Sequence, residues 1–421
     1  MGGWDFEAIE VAARREALKV AGAAVEERLN ADHSDRVEHL LCECGTEMRY
    51  VDRRRKSFTT VLGEMTLARA YFHCAKCNAG LCPRDRALGL EGGSLSPHVL
   101  RMVGLVGAHV SFKEGHELLQ ELAGVAVSTK EVERQAERLG REIADDEKRV
   151  VEPEIEREVP PTLYSGQDGT GIPMRKSETL GREGKQEDGS AKTREVKLVT
   201  TWSAEGRDEE GIPVRDEGSI TYSAAIESAA SRDTDEAPSE FAQRVAREAR
   251  RRRFDQAPRR VAMGDGAPWI WNVADDRFPG ALQIVDLFHA KGHLWDVARA
   301  IYGPKSDLGE QWAKQRRDEL DEGKIDDILD ALRVHAVHDE ARKCIEYIEH
   351  NRHRMRYPEF RAAGLCVSTG VVEAGCKTAI GARLKRAGMH WTVAGADAII
   401  ALRCCILSGR FEGFWERRAA G

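Results

Sequence analysis

The sequence predicts an α/β fold in which a mixed-sheet domain with a helical insertion follows a smaller, α-rich module that carries a cysteine cluster. Two observations predict this order: five of the ten cysteines fall within residues 42–82, and β-rich segments that alternate with helical patterns begin only after residue 162. The predicted segments are an N-terminal helix (1–40), a Cys-rich segment (41–90), a helix-turn-helix module (91–150), a linker (151–162) and the mixed-sheet domain (163–421), with its helical insertion at about 291–360.

The composition argues against several protein classes. The 64 Lys and Arg residues and 71 Asp and Glu residues give a formal charge of −7, which argues against a uniformly basic nucleic-acid coat protein. The most apolar stretch, residues 399–407, is interrupted by Arg403, and the first residues lack a basic segment followed by an apolar core. We therefore expect no membrane span and no signal peptide, and a cytoplasmic protein whose cysteines are reduced thiols.

The charge is unevenly distributed along the chain. Residues 151–240 sum to −10, whereas residues 241–260 sum to +6 and residues 361–421 to +5. The helical pattern in the first basic block ends in four consecutive arginines, namely Arg250, Arg251, Arg252 and Arg253. We predict that these arginines contact DNA phosphates, and the alternative is a solvated helix face without a partner.

The cysteine cluster predicts a zinc site. Four cysteines form a C-x-C pair and a C-x-x-C pair on either side of a basic, β-branched stretch: Cys42, Cys44, Cys74 and Cys77. Zinc takes four ligands in a tetrahedron, and two cysteine pairs on tight turns joined by a β-hairpin can supply them. Because the C-x-C spacing is short, His73 or Cys82 could replace one ligand. The alternative is a set of unliganded thiols, one or two of them buried.

Two capping boxes predict a helix-turn-helix. The first opens at Ser111 and its helix ends at Gly124, and the second opens at Ser128. Four apolar residues of the second helix recur at helical spacing and should be buried: Val132, Ala136, Leu139 and Ile143. Four polar residues near its start should be exposed, where they could meet DNA: Lys130, Arg134, Gln135 and Arg138. The alternative is an ordinary helical hairpin.

The order of segments after residue 162 predicts a ribonuclease H-like mixed sheet. Three β-rich runs come first, then the Arg-rich helix, and then two more apolar strands. The first run carries Asp168, and the fourth strand, read as RRVAMGDGAPWIW, carries Asp265. In this order the two aspartates lie on adjacent strands. Each precedes a glycine, however, and an Asp-Gly pair is more often a turn than part of a site.

A third carboxylate favours a catalytic interpretation. Glu373 lies in the first turns of a predicted helix, surrounded by bases and far from other acids. Two of these bases, Lys377 and Arg383, would support the site, and two, Lys385 and Arg386, would contact DNA. Three carboxylates can hold two magnesium ions, which activate an attacking hydroxyl and stabilise the leaving oxygen of an in-line displacement. The sequence therefore predicts magnesium-dependent chemistry on phosphodiesters.

A set of motifs in the second half resembles the DDE-type transposases of bacterial insertion sequences, in particular the ISKra family, which is related to the Mutator superfamily: DGTGIPM, GDGAPWIWN, VDLFHAKGHLWD, and STGVVEAGCK with GARLKRAGMHW. The resemblance extends over most of the chain. It implies that Asp168, Asp265 and Glu373 are the catalytic, metal-binding triad, with a helical insertion between the last two. It also implies that Asp286 and His289 match the C/D-x-x-H signature of Mutator-type transposases.

The resemblance implies a DNA transposase that binds the terminal inverted repeats of its element, cleaves a strand at each end and joins the freed hydroxyl to target DNA. The expected partner is double-stranded DNA, the expected assembly is at least a dimer, and the expected location is the nucleoid of a prokaryotic cell. No nucleotide cofactor is expected, because the sequence has no P-loop or dinucleotide fingerprint. Two alternatives stay open: a ribonuclease H-like nuclease or resolvase without joining activity, and an inactive regulator that only binds DNA.

The histidines after Asp286 have two interpretations. His289 and His293 lie four residues apart, and Asp286 lies one turn before the first of them, so that they could hold a third metal ion. The alternative, which we favour, is a hydrogen-bond network that fixes the junction between a strand and a helix.

Overall fold

The computed structural model of the protein describes residues 5–154, 157–229, 238–368 and 370–420. The chain divides into two compact units. Unit 1 comprises the described residues up to Leu139 together with those from Trp415 onward, and unit 2 comprises Gly140–Phe414. Within the described ranges, no helix is both long enough and apolar enough to cross a membrane.

Unit 1 contains a β-hairpin between a long first helix and a group of shorter helices. Its elements are α1 (Phe6–Ala31), β1 (Arg49–Thr60), β2 (Gly63–His73), β3 (Gly80–Leu81), α2 (Pro83–Ala87), α3 (Pro97–His109), α4 (Phe112–Leu118) with a π-helical continuation (Leu119–Ala123), and α5 (Thr129–Arg149), which runs on into unit 2. Strands β1 and β2 are antiparallel, and β3 pairs with the end of β2. The predicted opening helix is confirmed as α1.

The two predicted helix starts after residue 110 are confirmed. Ser111 and Glu114 form the reciprocal bonds of a capping box at the start of α4, and Ser128 Oγ accepts from Glu131 N at 3.3 Å. The apolar residues predicted to be buried on α5 are buried: Val132, Ala136, Leu139 and Ile143. The prediction for Gln135 was wrong, because its side chain is only 1% exposed and donates to Glu131 at 2.6 Å.

Unit 2 contains a mixed sheet and most of the helices. Its elements are β4 (Thr162–Pro173), α6 (Lys176–Thr179), β5 (Thr193–Trp202), β6 (Gly206–Arg207), β7 (Pro213–Val214), β8 (Thr221–Ala225), α7 (Glu240–Arg251), β9 (Arg259–Gly264), α8 (Pro268–Arg277), β10 (Leu282–Val285), α9 (Leu287–Tyr302), α10 (Asp307–Asp321), α11 (Ile325–Arg333), α12 (Asp339–Asn351), α13 (Tyr357–Ala362), α14 (Gly370–Gly375) with a π-helical continuation (Cys376–Gly381), α15 (Ala382–Leu384), α16 (Val393–Leu407) and α17 (Phe411–Ala420), which ends in unit 1. Helices α9 to α13 fill the region predicted to be helical.

The sheet of unit 2 has five strands in the order β10-β9-β4-β5-β8. β4, β9 and β10 are parallel to one another, whereas β5 is antiparallel to both β4 and β8. The predicted mixed α/β sheet is confirmed. In its described part the predicted linker contains no helix, and its only strand residue is its last one, Thr162, where β4 begins. The two compact units nevertheless divide earlier, within α5.

The two faces of this sheet are covered by different helices. Leu163 and Val199 pack on one face with Phe241 of α7 and Val273 of α8. The other face buries Tyr164, Trp202 and Met263 against helices of the insertion, for instance at Leu294 and Ile348. Because side chains alternate along a strand, the even-numbered residues of β4, including Asp168, lie on the same face as Tyr164.

Two local predictions were wrong. The segment read as the end of the fourth strand forms helix α8, because Pro268 occupies its first turn, where proline's missing N–H costs no hydrogen bond. The turn interpretation of Asp168-Gly169 also fails, because both residues lie inside β4 and pair with Leu198 and Lys197. A Cβ on Gly169 would lie 2.4 Å from Glu195 Oε1, so the glycine makes room for a neighbouring side chain.

The arginine run at the end of α7 is partly internal, which corrects its predicted role. Arg251 and Arg252 are 6% and 7% exposed, and neither can lie on a DNA-contacting surface. Arg251 donates to the carbonyl of Val150, and Arg252 donates to that of Ser219 at 2.7 Å. These bonds hold neighbouring elements together, which neither the DNA prediction nor its solvated-face alternative anticipated.

Two arginines of this run reach solvent. Arg250 is exposed, and Arg253 is half-buried. They remain candidates for a contact with phosphates.

Candidate functional site

A pocket of about 530 Å³ in unit 2 contains all three predicted catalytic carboxylates. The residues that line it are Gln167, Asp168, Asp265, Asp286, Phe288, His289, Gly292, His293, Asp296 and Glu373. They come from β4, from the ends of β9 and β10, and from α9 and α14. Five carboxyl groups and two imidazoles thus surround one concave space, and the carboxylate oxygens are the donors that hard divalent cations prefer.

Strand register aligns three of the carboxylates in a row. Gly166 of β4 pairs with Met263 of β9, so Asp168 and Asp265 each lie two residues beyond a paired position. Val285 of β10 pairs with Gly264 of β9, and Asp286 and Asp265 are the residues that directly follow this pair. Since paired residues on neighbouring strands point to the same face, the three aspartates lie side by side across β4, β9 and β10. The sequence-based expectation that Asp168 and Asp265 are adjacent is therefore met.

Backbone amides orient these aspartates. Gly169 N donates to Asp168 Oδ1 at 2.6 Å, and Ala267 N donates to Asp265 Oδ1 at 2.8 Å. Asp286 caps the N-terminus of α9 and accepts from His289 N at 2.6 Å. Each carboxylate is thereby oriented by a backbone amide that lies one to three residues later in the chain.

Glu373 enters the pocket from a helix that approaches β4 closely. A Cβ on Gly166 would lie 2.1 Å from Val372 Cγ2, so only glycine permits this approach. Glu373 itself is well exposed and forms an ion pair of 2.7 Å with Lys377. The predicted supporting role of Lys377 therefore agrees with its position, one helical turn from the carboxylate.

The charges of the pocket affect one another. Burial raises the pKa of Asp168, and the nearby charge of Asp265 raises it further, although the amide of Gly169, the thiol of Cys376 and His289 act in the opposite direction. Burial, with a smaller contribution from His289, lowers the pKa of His293. Crowded carboxylates are costly to ionise, and a bound cation would relieve that cost.

Not every predicted site residue lies in the pocket. Arg383 is fully buried with its guanidinium 5.1 Å from the ring centroid of Trp391 and does not line the pocket, so its supporting role stays a prediction. Lys385 is exposed and donates to Thr170, two residues beyond Asp168 on the same face of β4. Arg386 is half-buried.

Two residues that line the pocket and one that contacts it through Asp265 were not predicted as site residues. Asp296 lies three residues after His293 on α9, and that helical spacing could have identified it. Phe288 lies within the D-x-x-H motif, is 66% exposed and lines the pocket. Its exposure could not be predicted, because the motif does not indicate whether an apolar residue inside it is buried. Tyr347 reaches Asp265 from α12, and no spacing connects the two in the sequence.

The cysteine cluster of unit 1 forms a second site. The sulfur atoms of Cys42, Cys44, Cys74 and Cys77 all lie within 4.8 Å of one another. The amide of Gly45 donates to the carbonyl of Cys42 at 2.8 Å, and that of Asn78 donates to the carbonyl of Cys74 at 2.9 Å, so each pair sits on a tight turn. Gly45 and Asn78 have positive φ, which glycine and asparagine tolerate best. The four thiols could hold a metal ion such as zinc.

The structure selects among the ligands that the sequence left open. Cys44 belongs to the cluster in spite of the short C-x-C spacing, and its Sγ lies 3.6 Å from that of Cys74. His73 Nε2 instead lies 3.0 Å from Asn78 Oδ1, and Cys82 lies outside the cluster. Hydrogen bonds from Thr46 lower the pKa of Cys44 to about 6, which favours the thiolate that metals bind.

We expect the purified protein to contain one zinc ion per chain, because four preorganised thiols match its coordination number. Cys74→Ser combined with Cys77→Ser should remove the metal and lower the melting temperature, since metal binding stabilises the folded form. Mass spectrometry of the dialysed protein measures the metal content. Cys82→Ser is the matched control and should retain zinc. A metal-free wild-type protein, or a double variant with full zinc content, would contradict the prediction.

The predicted DNA-contacting residues of α5 are only partly available. Lys130 and Arg134 are exposed, and each forms an ion pair within the helix, with Glu133 and Glu131 respectively. Arg138 is half-buried and donates to the carbonyl of Glu91 at 3.2 Å. The first turns of α5 therefore present two cations to solvent.

Comparison with known proteins finds one family. The model of the family described as "Uncharacterised protein family (UPF0236)" matches residues 3–418. None of the curated proteins compared with the chain matches it.

Proposed function

The chain belongs to the Uncharacterised protein family (UPF0236), and since that family description specifies no activity, we propose from the pocket itself that the protein is a DNA transposase. In this proposal it binds the terminal repeats of an insertion sequence, cleaves a DNA strand at each end and joins the freed 3′ hydroxyl to target DNA. The observation that carries the proposal is the row of Asp168, Asp265 and Asp286 across three strands, facing Glu373.

The arrangement of unit 2 supports a ribonuclease H-like catalytic domain. Three strands that are antiparallel in sequence order, β4, β5 and β8, are followed by two strands added in parallel beside β4. Asp168 lies on the central strand β4, and Asp265 and Asp286 lie at the ends of β9 and β10. Helices follow them in the chain before Glu373. The resemblance to ISKra-type transposases predicts the same order.

The donor set fits magnesium. Asp168, Asp265 and Glu373 would hold two ions, with Asp286 as a neighbouring carboxylate. Burial, with a smaller contribution from the charge of Asp265, raises the pKa of Asp168, and bound cations would stabilise its ionised form. Bound magnesium would supply activation of an attacking oxygen and stabilisation of a leaving oxygen. The chain itself contributes backbone amides that orient the aspartates and Lys377, a cation beside Glu373 that can meet a phosphate.

The expected partner is double-stranded DNA, bound through exposed cations. On unit 2 the exposed cations are Arg250 and Lys385, with the half-buried Arg253 and Arg386 as further candidates, and on unit 1 they are Lys130 and Arg134. The exposed ring of Phe288 at the pocket offers a surface on which an unpaired base could stack. Because two element ends must be joined in one event, we propose an assembly of at least two chains, associated with the nucleoid of a prokaryotic cell.

The test is a cleavage and joining assay with magnesium. The substrate is a duplex that contains one end of the DNA flanking the coding frame, and a supercoiled plasmid serves as the target. Cleaved and joined products support a transposase. Cleaved products without joined ones would instead identify a nuclease or resolvase, and DNA binding without cleavage would identify a regulator that lacks the activity.

We expect the start of α5 to contribute phosphate contacts in DNA binding. Lys130→Gln with Arg134→Gln should reduce the slope of log affinity against log salt by about two, since each lost phosphate contact removes about one from that slope. Fluorescence anisotropy over a range of salt concentrations measures it. Lys314→Gln is the control, because Lys314 is similarly exposed and also forms an ion pair, with Asp318 four residues later. An unchanged slope in the double variant would exclude this helix from the DNA interface.

A further inference from the structure

Tyr347 connects the helical insertion to the second aspartate of the pocket. The residue lies on α12, and its hydroxyl donates to the backbone carbonyl of Asp265 at 2.7 Å. Asp265 directly follows β9, at the point where the chain leaves the sheet. A side chain from an element about 80 residues later in the chain therefore fixes the backbone on which the central carboxylate is mounted.

The loop after Asp265 is shaped around this tyrosine. Gly266 has φ +105°, and a Cβ at that position would lie 2.4 Å from Cε2 of Tyr347. Any other residue would both strain the backbone and displace the ring. Because Gly266 has no side chain, the phenol ring of Tyr347 lies directly against the backbone of this loop.

The same ring contacts the opposite wall of the pocket. Its centroid lies 4.3 Å from that of His293 and 6.4 Å from that of His289, both on α9. Tyr347 is therefore in contact with two of the elements that line the pocket.

We propose that Tyr347 is a positioning residue, which holds Asp265 in the orientation that a divalent cation requires. The proposal rests on the proposed function, because it assigns a task to the carboxylate pocket. Outer-shell hydrogen bonds of this kind typically change metal affinity by ten- to a hundred-fold when they are removed. Tyr347 acts through Asp265 and touches no reacting atom.

The test compares two tyrosines of the same insertion, one partly and one fully buried. Tyr347→Phe removes the hydroxyl and keeps the ring against Gly266 and His293. Tyr357→Phe is the matched control, because Tyr357 is fully buried and its hydroxyl has no hydrogen-bond partner in the described part of the chain. The probe is Mn²⁺, whose binding to the full-length protein is followed by electron paramagnetic resonance without any DNA.

We expect Tyr347→Phe to bind Mn²⁺ roughly ten-fold more weakly than wild type, while Tyr357→Phe binds it normally and both variants melt at similar temperatures. Equal affinity in wild type and Tyr347→Phe would overturn the positioning role, and so would an equal loss in both variants, which would indicate general packing. Asp265→Asn separates the two proposals. If it loses Mn²⁺ binding while Tyr347→Phe does not, only the positioning role fails. If the wild type itself binds no Mn²⁺, the metal site fails and the positioning role fails with it.

Discussion

Asp265→Asn should reduce DNA strand cleavage roughly a thousand-fold, to near the detection limit. The change keeps the size of the side chain and its bond to Ala267 N but removes the negative charge from the centre of the carboxylate row. A metal ligand of this kind supports several kcal/mol of transition-state stabilisation, and each 1.4 kcal/mol corresponds to a factor of ten in rate. The measurement is the initial rate of cleavage of an end-containing duplex with magnesium.

The matched control for this experiment is Asp276→Asn. Asp276 is an exposed aspartate on α8, close in sequence to Asp265, with an ion pair to Arg277 at 2.8 Å. The Asp276→Asn variant should cleave DNA at the wild-type rate. Undiminished cleavage by Asp265→Asn, with a normal melting temperature, would refute the assignment of the pocket as the catalytic centre.

Glu248→Ala should lower the free energy of unfolding by about 3 kcal/mol, because it breaks a buried ion pair and leaves its partners uncompensated. Glu248 is fully buried, and its oxygens accept two bonds from Arg410, at 2.7 and 2.9 Å, and one from Thr221 at 2.5 Å. Arg410 keeps a second partner in Glu154, at 2.6 Å, which limits the loss. Urea unfolding measures the difference. Glu359→Ala, which removes an exposed partner of Arg356, should cost less than about 1 kcal/mol.

The same glutamate predicts a pH dependence. Burial alone would raise the pKa of Glu248, but the charge and hydrogen bonds of Arg410 outweigh it and lower the pKa to about 2. Because the folded pKa lies below the ordinary value, the contribution of Glu248 to stability is complete above about pH 4.5 and is lost as the pH falls towards 2. Between pH 5 and pH 3, wild type should therefore lose more stability than Glu248→Ala. Equal losses would show that Glu248 is not charged in the folded protein.

The sequence predicted those features that depend on local spacing. The capping residue Ser111, the buried stripe of α5 and the two cysteine pairs all follow from distances of a few residues along the chain. The adjacency of Asp168 and Asp265 followed from the predicted strand order, which is a property of the topology as a whole. The structure adds Asp286 to that row, since the register of β10 aligns it with Asp265.

The features that the sequence did not predict depend on partners that are remote in the chain. A run of arginines looks like a solvated or DNA-binding face unless the carbonyls that accept from Arg251 and Arg252 are known, and these belong to Val150, just after α5, and to Ser219, just before β8. Likewise, the hydroxyl of Tyr347 meets Asp265 only because α12 folds back over the end of β9.

The row of aspartates has a consequence for the order in which the carboxylates of the pocket come together during translation. Asp168, Asp265 and Asp286 come together only when β9 and β10 have paired in parallel beside β4, and such non-local pairing is slow. Glu373 leaves the ribosome after the whole helical insertion. A nascent chain that still lacks this last segment has an incomplete set of carboxylates, so under the proposed function a prematurely terminated product would retain the proposed DNA contacts of α5 without a complete catalytic site.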